Sequence, residues 1–147
     1  MRYLLIVTLL LGGCATNTPY YGNYLKPSEV AVNKEMAVDS AKQLSVTYSP
    51  AATRIDFKQP TSDEYGGTLI KLLRAKGYAV AEYNLATTTK TTSVTNQHIN
   101  IQYIIDQVAA ANFYRTTLLI NNQPLSRVYT AQNGVLRPAG AWVKRSD

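Results

Sequence analysis

The chain has 147 residues, a formal net charge of +6 and one cysteine. This length suits one ordinary domain and is too short for two comfortable ones. The basic residues are scattered, with Lys144-Arg145 as the single adjacent pair, so the sequence lacks the clustered basic patch of a nucleic-acid-binding protein. We therefore expect no direct nucleic acid partner.

The first 13 residues have the pattern of a cleaved secretory signal peptide. Arg2 precedes an apolar run from Tyr3 to Leu11, and two small residues follow that run. The run is too short for a permanent transmembrane helix, which needs roughly 20 residues. Leu11-Gly12-Gly13-Cys14 resembles the lipobox of bacterial lipoproteins, in which the cysteine is acylated and becomes the new first residue. We therefore predict a lipoprotein signal peptide over residues 1–13 and lipidation at Cys14.

The lipoprotein resemblance implies three acyl chains on Cys14, palmitate among them, and a lipid bilayer as a partner. A single chain holds a protein only marginally, whereas several chains anchor it stably. Ala15 occupies the position where an aspartate would favour the inner membrane, so the expected location is the outer membrane, with the domain facing the periplasm. Because lipid occupies the one cysteine, the mature chain has no disulfide and no thiol nucleophile.

Residues 14–32 are predicted to contain the lipidated cysteine and a flexible linker, because proline, glycine, threonine and asparagine are frequent there. Tyr20, Tyr21 and Tyr24 are nevertheless more apolar than a simple tether requires. Two explanations remain open. The rings pack on their own domain or rest at the lipid interface, or the extended segment binds a neighbouring subunit. The second explanation makes these three tyrosines candidate partner-binding residues.

A single domain is predicted over residues 33–147, and its first part has a helix–strand–helix–strand order. Apolar periodicity indicates a helix from about Glu29 to Tyr48, with Asn33 as the N-cap. A strand over Ala51–Gln59 follows. The second helix starts after Pro60 with a capping box of Thr61 and Glu64 and ends at Gly77. The next strand, Tyr78–Leu85, is expected to run parallel to the first.

The second half of the domain has the pattern of consecutive strands. A threonine-rich stretch from Ala86 to Asn96 is predicted to be an exposed loop. The strands are predicted at His98–Gln107, Phe113–Ile120, Leu125–Gln132 and Val135–Arg145, with turns at Asn121-Asn122 and Asn133-Gly134. The predicted fold class is α+β, with two helices on one face of a mainly antiparallel sheet of five to six strands.

The residue inventory does not favour catalysis. Nucleophilic catalysis needs a nucleophile beside a base, and the mature chain has one histidine, His98, and no free thiol. One histidine without cysteine cannot form a zinc site alone, and the carboxylates do not follow a calcium-loop pattern. We therefore predict no enzymatic activity, no metal site and no cofactor.

Several stretches carry a family resemblance: Lys42-Gln43-Leu44, Tyr48 to Arg54, Gln59-Pro60-Thr61, Leu72 to Tyr78, Tyr103 to Gln107 and the tail from Tyr114 to Val143. In this order and spacing they resemble the TrbH family of conjugal-transfer lipoproteins. The resemblance implies a structural lipoprotein of the mating-pair-formation apparatus, a type IV secretion system for plasmid transfer. It implies TrbG-like and TrbI-like core subunits as partners in a multimeric assembly, and no catalytic residue. The alternative is a stand-alone envelope lipoprotein that binds a ligand or acts in surface exclusion.

Overall fold

The computed structural model describes residues 20–85, 97–108 and 112–145. The predicted signal peptide, Cys14 and the threonine-rich stretch 86–96 lie outside the described residues. The described chain contains, in order, β1 (Gly22–Asn23), α1 (Val30–Thr47), β2 (Thr53–Phe57), α2 (Glu64–Ala75), β3 (Ala79–Ala81), β4 (Gln97–Gln107), β5 (Phe113–Ile120), β6 (Gln123–Gln132), β7 (Val135–Pro138) and β8 (Val143–Lys144). A short 3-10 helix, Pro50–Ala52, leads into β2.

The eight strands form one sheet whose main path is β3-β2-β4-β5-β6-β7. β3, β2 and β4 are parallel, and each later neighbour on the path is antiparallel. β1 lies parallel to β4 beyond the end of β2, and β8 lies beside the first residues of β6. The predicted α+β class and the parallel β2–β3 pair are confirmed. The strand number exceeds the predicted five to six because β1 precedes the predicted domain and the last predicted strand is interrupted after Pro138.

The core lies between the two helices and one face of the sheet. Alternate residues along the central strands are buried, as the two-residue period of a strand requires. The largest fully buried apolar side chains from the helices and the sheet are Met36, Leu44, Ile55, Leu69, Leu73, Ile99, Ile101, Ile105 and Leu118. Burial of each such side chain contributes about 1.5–3 kcal/mol. The opposite face of the sheet carries no described helix.

Helix α1 spans the range predicted from about Glu29 to Tyr48, but its N-cap is not the predicted one. Its N-cap is Glu29, which makes no side-chain capping bond, and Asn33 is a buried residue inside the first turns. The Asn33 amide donates to the Glu29 carbonyl over 2.8 Å. The prediction of Asn33 as N-cap was therefore wrong, because its polar side chain has partners inside the fold. The predicted domain boundary at residue 33 falls within α1.

Helix α2 is capped by Asp63. The Asp63 carboxylate accepts a hydrogen bond from the Gly66 backbone amide over 3.0 Å, the standard arrangement for an aspartate N-cap. The predicted box of Thr61 and Glu64 was therefore wrong. Thr61 is buried, and Glu64 forms an exposed ion pair with Lys34. At the other end, Gly77 has a φ of 92°, as the predicted C-terminal glycine requires.

Both predicted asparagine turns are present. Asn121 and Asn122 have φ angles of 50° and 68°, and Asn133 and Gly134 have φ angles of 53° and 75°. Two consecutive left-handed residues form the turn that matches the natural twist of a two-residue β-hairpin. These turns set the register of β5 with β6 and of β6 with β7.

Candidate interaction site at the amino-terminal segment

The amino-terminal segment is part of the sheet. Gly22 and Asn23 pair with Ile104 and Ile105 of β4, and the Tyr24 backbone amide donates to the Ile105 carbonyl over 2.8 Å. β2 pairs with β4 only as far as Phe57, and this short strand pairs with the part of β4 that lies beyond that point. The segment was predicted as a flexible linker, and the structure instead attaches its backbone to the centre of the fold.

The Asn23 side chain connects this strand to both helices. Its amide donates to Asn33 Oδ1 of α1 over 2.7 Å and to Asp63 Oδ1 at the start of α2 over 3.0 Å. Its oxygen accepts from the backbone amide of Leu25 over 3.0 Å. Both N–H groups of this partly buried amide thus bind the two helices, and its oxygen binds its own segment, which fixes the direction in which the chain enters the domain.

Asp63 is the second centre of this network. In addition to Gly66 and Asn23, its carboxylate accepts a hydrogen bond from the Tyr103 hydroxyl of β4. Burial, together with the hydrogen bond to the Asp63 carboxylate, strongly raises the pKa of Tyr103, so the hydroxyl keeps its proton. A Cβ atom at Gly66 would clash with this hydroxyl, so the close approach of α2 to β4 requires glycine.

The predicted partner-binding tyrosines lie at the surface of this segment. The side chains of Tyr20 and Tyr24 are 80% and 56% exposed, and Tyr21 is half-buried. The Tyr24 hydroxyl donates to the Tyr20 carbonyl over 2.9 Å, which holds the two residues together. The backbone therefore packs on its own domain while two of the three rings face outwards. Contact of these rings with a partner stays a prediction.

A second polar cluster joins α1 to β6. Arg127 Nη1 donates to both carboxylate oxygens of Asp39, over 3.1 and 2.9 Å, and the Tyr129 hydroxyl donates to Asp39 Oδ2 over 2.7 Å. Arg127 Nε donates to the Gly140 carbonyl over 2.8 Å, and the guanidinium lies 6.0 Å from the centre of the Trp142 ring. The carboxy-terminal segment is thereby tied to the same arginine that binds α1.

Three neighbouring strands each contain a tyrosine that makes the same kind of contact. Tyr103 of β4, Tyr114 of β5 and Tyr129 of β6 each point a hydroxyl towards a carboxylate on the helix side, at Asp63, Glu29 and Asp39 respectively. Tyrosine can fill the core and still satisfy a polar group at the helix layer. The sequence signal for this arrangement is the count of eleven tyrosines against two phenylalanines.

The open face of the sheet carries a charged cluster around Asp56. This carboxylate lies 3.0 Å from Arg54 Nε, 2.9 Å from His98 Nε2 and 3.7 Å from Lys58 Nζ. Burial opposes the charged form, but the hydrogen bonds from Arg54 and His98 prevail and lower the pKa of Asp56. His98 is therefore one member of a structural polar cluster on adjacent strands.

A cavity of about 410 Å³ lies beside α1, where Val38, Lys42, Tyr129, Leu136 and Pro138 are among its lining residues. Its most enclosed carboxylate, Asp39, is already bound by Arg127 and Tyr129. Within the described ranges, no group of three or more His, Cys, Asp or Glu side chains is arranged to hold a metal ion. The described helices include none that is long and apolar enough to cross a membrane.

These features define a small α+β domain whose amino-terminal strand is locked to both helices and whose clustered charges serve internal contacts. The sequence profile of the family described as conjugal transfer protein TrbH matches residues 18–146, and the chain belongs to this family. The predicted family resemblance is confirmed. No curated protein and no solved structure shows significant similarity to the chain.

Proposed function

We propose that this conjugal transfer protein is a structural lipoprotein of the outer membrane, anchored through Cys14, that stabilises the core complex of a conjugative type IV secretion system. TrbG-like and TrbI-like subunits are the proposed partners, and the domain faces the periplasm. The observation that carries the proposal is the match to the TrbH family over residues 18–146. The lipobox-like sequence before Cys14 supports the anchor, and the fixed amino-terminal strand supports a mechanical role.

The geometry of the amino-terminal segment suits a short anchor that transmits force to the domain. Seven residues separate Cys14 from Gly22, where the sheet begins. An extended chain spans at most about 3.5 Å per residue, so the sheet would lie within about 28 Å of the acylated residue. Because Asn23 attaches the strand to both helices, a pull on the lipid would be transmitted to the whole domain and not to a loose tail.

The exposed rings of Tyr20 and Tyr24, with Tyr21 beside them, are the proposed contact with a core subunit. Aromatic side chains held on a fixed backbone lose little conformational entropy on binding, and truncation of such anchors commonly costs about 2 kcal/mol or more. The rings lie close in sequence to the proposed anchor at Cys14. A partner bound there would therefore sit close to the membrane.

The alternative, a stand-alone ligand-binding lipoprotein, requires a concave site with convergent polar groups. The cavity beside α1 combines the apolar Val38, Leu136 and Pro138 with exposed charges at Lys34, Glu35 and Lys42, and its most enclosed carboxylate, Asp39, is bound by Arg127. These contacts favour the assembly role over the binding of a small polar ligand.

Cys14→Ser tests the anchor. The variant is expected to leave a folded protein that is uncleaved or released from the outer membrane, and plasmid transfer should fall. Globomycin, which blocks processing of acylated lipoproteins, should cause the unprocessed wild-type chain to accumulate. A variant that remains acylated and in the outer-membrane fraction would contradict the lipoprotein assignment.

A triple replacement of Tyr20, Tyr21 and Tyr24 by serine tests the partner contact. The lipoprotein should be lost from the purified core complex while the isolated domain keeps its melting temperature. Tyr83→Ser is the matched control, because this tyrosine is 40% exposed and lies after β3, far along the chain from the anchor. If the triple variant transfers plasmid normally, the segment is only a tether and does not bind a partner. If the isolated domain is destabilised, the rings pack on their own domain.

A further inference from the structure

One face of α1 is exposed, and its residues are self-complementary. Ala31, Glu35, Val38, Lys42 and Val46 recur at spacings of four, three, four and four, so they lie along one side of the helix. All five are exposed, including Val38 at 53% and Val46 at 78%. We call these five residues the outward face of α1.

Single exposed valines are common on protein surfaces and need no explanation by themselves. The charged residues of the outward face provide the second observation. Every other carboxylate of the described residues accepts a hydrogen bond or forms an ion pair, but Glu35 has neither. Lys42, two turns further along the same face, is likewise without an ion pair within the described chain.

The positions of these residues are symmetric about the centre of α1. The helix runs from Val30 to Thr47, so its midpoint lies between Val38 and Asp39. An antiparallel copy of α1 centred on this point would place Glu35 opposite Lys42, and Ala31 opposite Val46. By symmetry each of these contacts would occur twice, with the two Val38 side chains close to the axis between the helices.

We infer that α1 pairs with α1 of a second copy of this chain, antiparallel and through the outward face, around a two-fold axis near Val38. A two-fold interface uses the same surface on both subunits, which is the property that the outward face shows. The cavity lined by Val38, Leu136 and Pro138 borders this face and offers an apolar recess to the second copy.

The pairing would be weak. The outward face offers two valines and an alanine, and interfaces that bury less than roughly 1,200 Å² are typical of transient association. Exposed ion pairs such as Glu35–Lys42 set register and orientation more than affinity. The self-association does not depend on the proposed role in conjugation, and its test uses cross-linking instead of plasmid transfer.

Single-cysteine cross-linking tests the geometry. In the full chain with Cys14→Ser, any added cysteine is the sole thiol. Val38→Cys should yield a disulfide-linked dimer under mild oxidation, because the two positions lie near the axis. Val46→Cys is the matched control, since it is more exposed but would lie opposite Ala31, 15 positions along the helix from Val46 of the second copy. At 1.5 Å per residue the two Val46 positions would be about 22 Å apart along the helices, too far for a disulfide.

Two further tests, one of pairing and one of charge, complete the experiment. Ala31→Cys chains mixed with Val46→Cys chains, distinguished by tags of different size, should form a mixed dimer. Glu35→Lys or Lys42→Glu alone should lower the yield of the Val38→Cys dimer several-fold because like charges then face each other, and the double reversal should restore it. Circular dichroism verifies that each variant is folded.

The outcomes separate the possible occupants of this face. A monomeric Val38→Cys protein would overturn the inference, as would equal cross-linking of Val46→Cys. A Val38→Cys adduct with a different protein of the envelope would assign the outward face to that partner and would also overturn self-pairing. Failure to restore cross-linking by the double charge reversal would reject the antiparallel register.

Discussion

Asn23 and Asp63 are 40 positions apart, yet the Asn23 side-chain amide donates to the Asp63 carboxylate over 3.0 Å. The same carboxylate caps α2 and accepts from Tyr103, so one residue links β1, α2 and β4. The chain that leads to the predicted lipid anchor is thereby integrated with the core of the domain.

Replacement of Asn23 by alanine should detach β1. The substitution leaves two polar groups without this partner, the Asn33 oxygen and the Leu25 amide, and removes one of the two hydrogen bonds to Asp63 Oδ1. We expect a loss of about 1–3 kcal/mol in the free energy of unfolding, measured by urea denaturation. Hydrogen exchange of the Tyr24 amide should also accelerate. Ser62→Ala is the control, because this exposed neighbour of Asp63 makes no side-chain hydrogen bond in the described structure, and an equal loss there would contradict the role of Asn23.

Gly66 and Gly67 should respond differently to the same substitution. A Cβ atom at Gly66 would clash with the Tyr103 hydroxyl and lie 3.0 Å from Thr61 Cα, whereas at Gly67 the nearest atom outside the helix would be 3.9 Å away. Gly66→Ala should therefore destabilise the domain by about 1–3 kcal/mol through overpacking. Gly67→Ala should be neutral or stabilise it by about 0.5–1 kcal/mol, because alanine is the better helix former. Thermal unfolding of both variants provides the comparison, and equal effects would place α2 further from β4.

The buried tyrosines predict a steep loss of stability in alkali. Burial, reinforced at Tyr103 and Tyr129 by the neighbouring carboxylates Asp63 and Asp39, raises the pKa values of Tyr65, Tyr103 and Tyr129 well above the ordinary value of about 10. Above that pH the unfolded chain loses these protons while the folded chain keeps them, so folding stability is full below about pH 10 and falls as the pH rises. Each such tyrosine contributes a slope of about 1.4 kcal/mol per pH unit.

Urea denaturation at several pH values between 9 and 12, roughly spanning the ordinary tyrosine pKa, measures this slope. Tyr129→Phe should lower the slope by about 1.4 kcal/mol per pH unit, since one titrating group is removed. Tyr83→Phe, at an exposed position, should leave it unchanged. A flat alkaline profile in the wild-type chain would show that these hydroxyls ionise in the folded state.

Asp39 and Glu35 lie one turn apart on α1 but should contribute very differently to stability. Asp39 binds Arg127 and Tyr129, and its loss leaves a largely covered guanidinium without its counter-ion. Asp39→Ala should therefore cost about 2 kcal/mol or more, the range for hydrogen bonds to charged groups. Glu35→Ala, measured in dilute monomeric protein, should change the free energy of unfolding by no more than about 0.5 kcal/mol. Comparable losses at both positions would indicate that the Arg127 cluster adds little.

Local sequence patterns determined much of this fold. The amphipathic stripe and terminal glycine of α2, the Asn-Asn and Asn-Gly turns, and the alternation of β4 and β5 depend on contacts between residues close in sequence, and each was predicted near its observed place. The family was likewise predicted from the order and spacing of short stretches, because that comparison needs only the sequence.

Tertiary contacts decided the remaining features. Asn33 looked like an N-cap and Thr61 like the start of a capping box, because both predictions considered hydrogen bonds available within a few residues. In the fold, Asn33 instead accepts from Asn23, ten positions away, and the α2 cap is Asp63, which also binds Tyr103, 40 positions away. The strand at Gly22–Asn23 has no periodicity of its own, and it forms because β2 ends at Phe57 and leaves backbone groups of β4 unpaired. Buried backbone groups need hydrogen-bond partners, and only the folded sheet determines which segment supplies them.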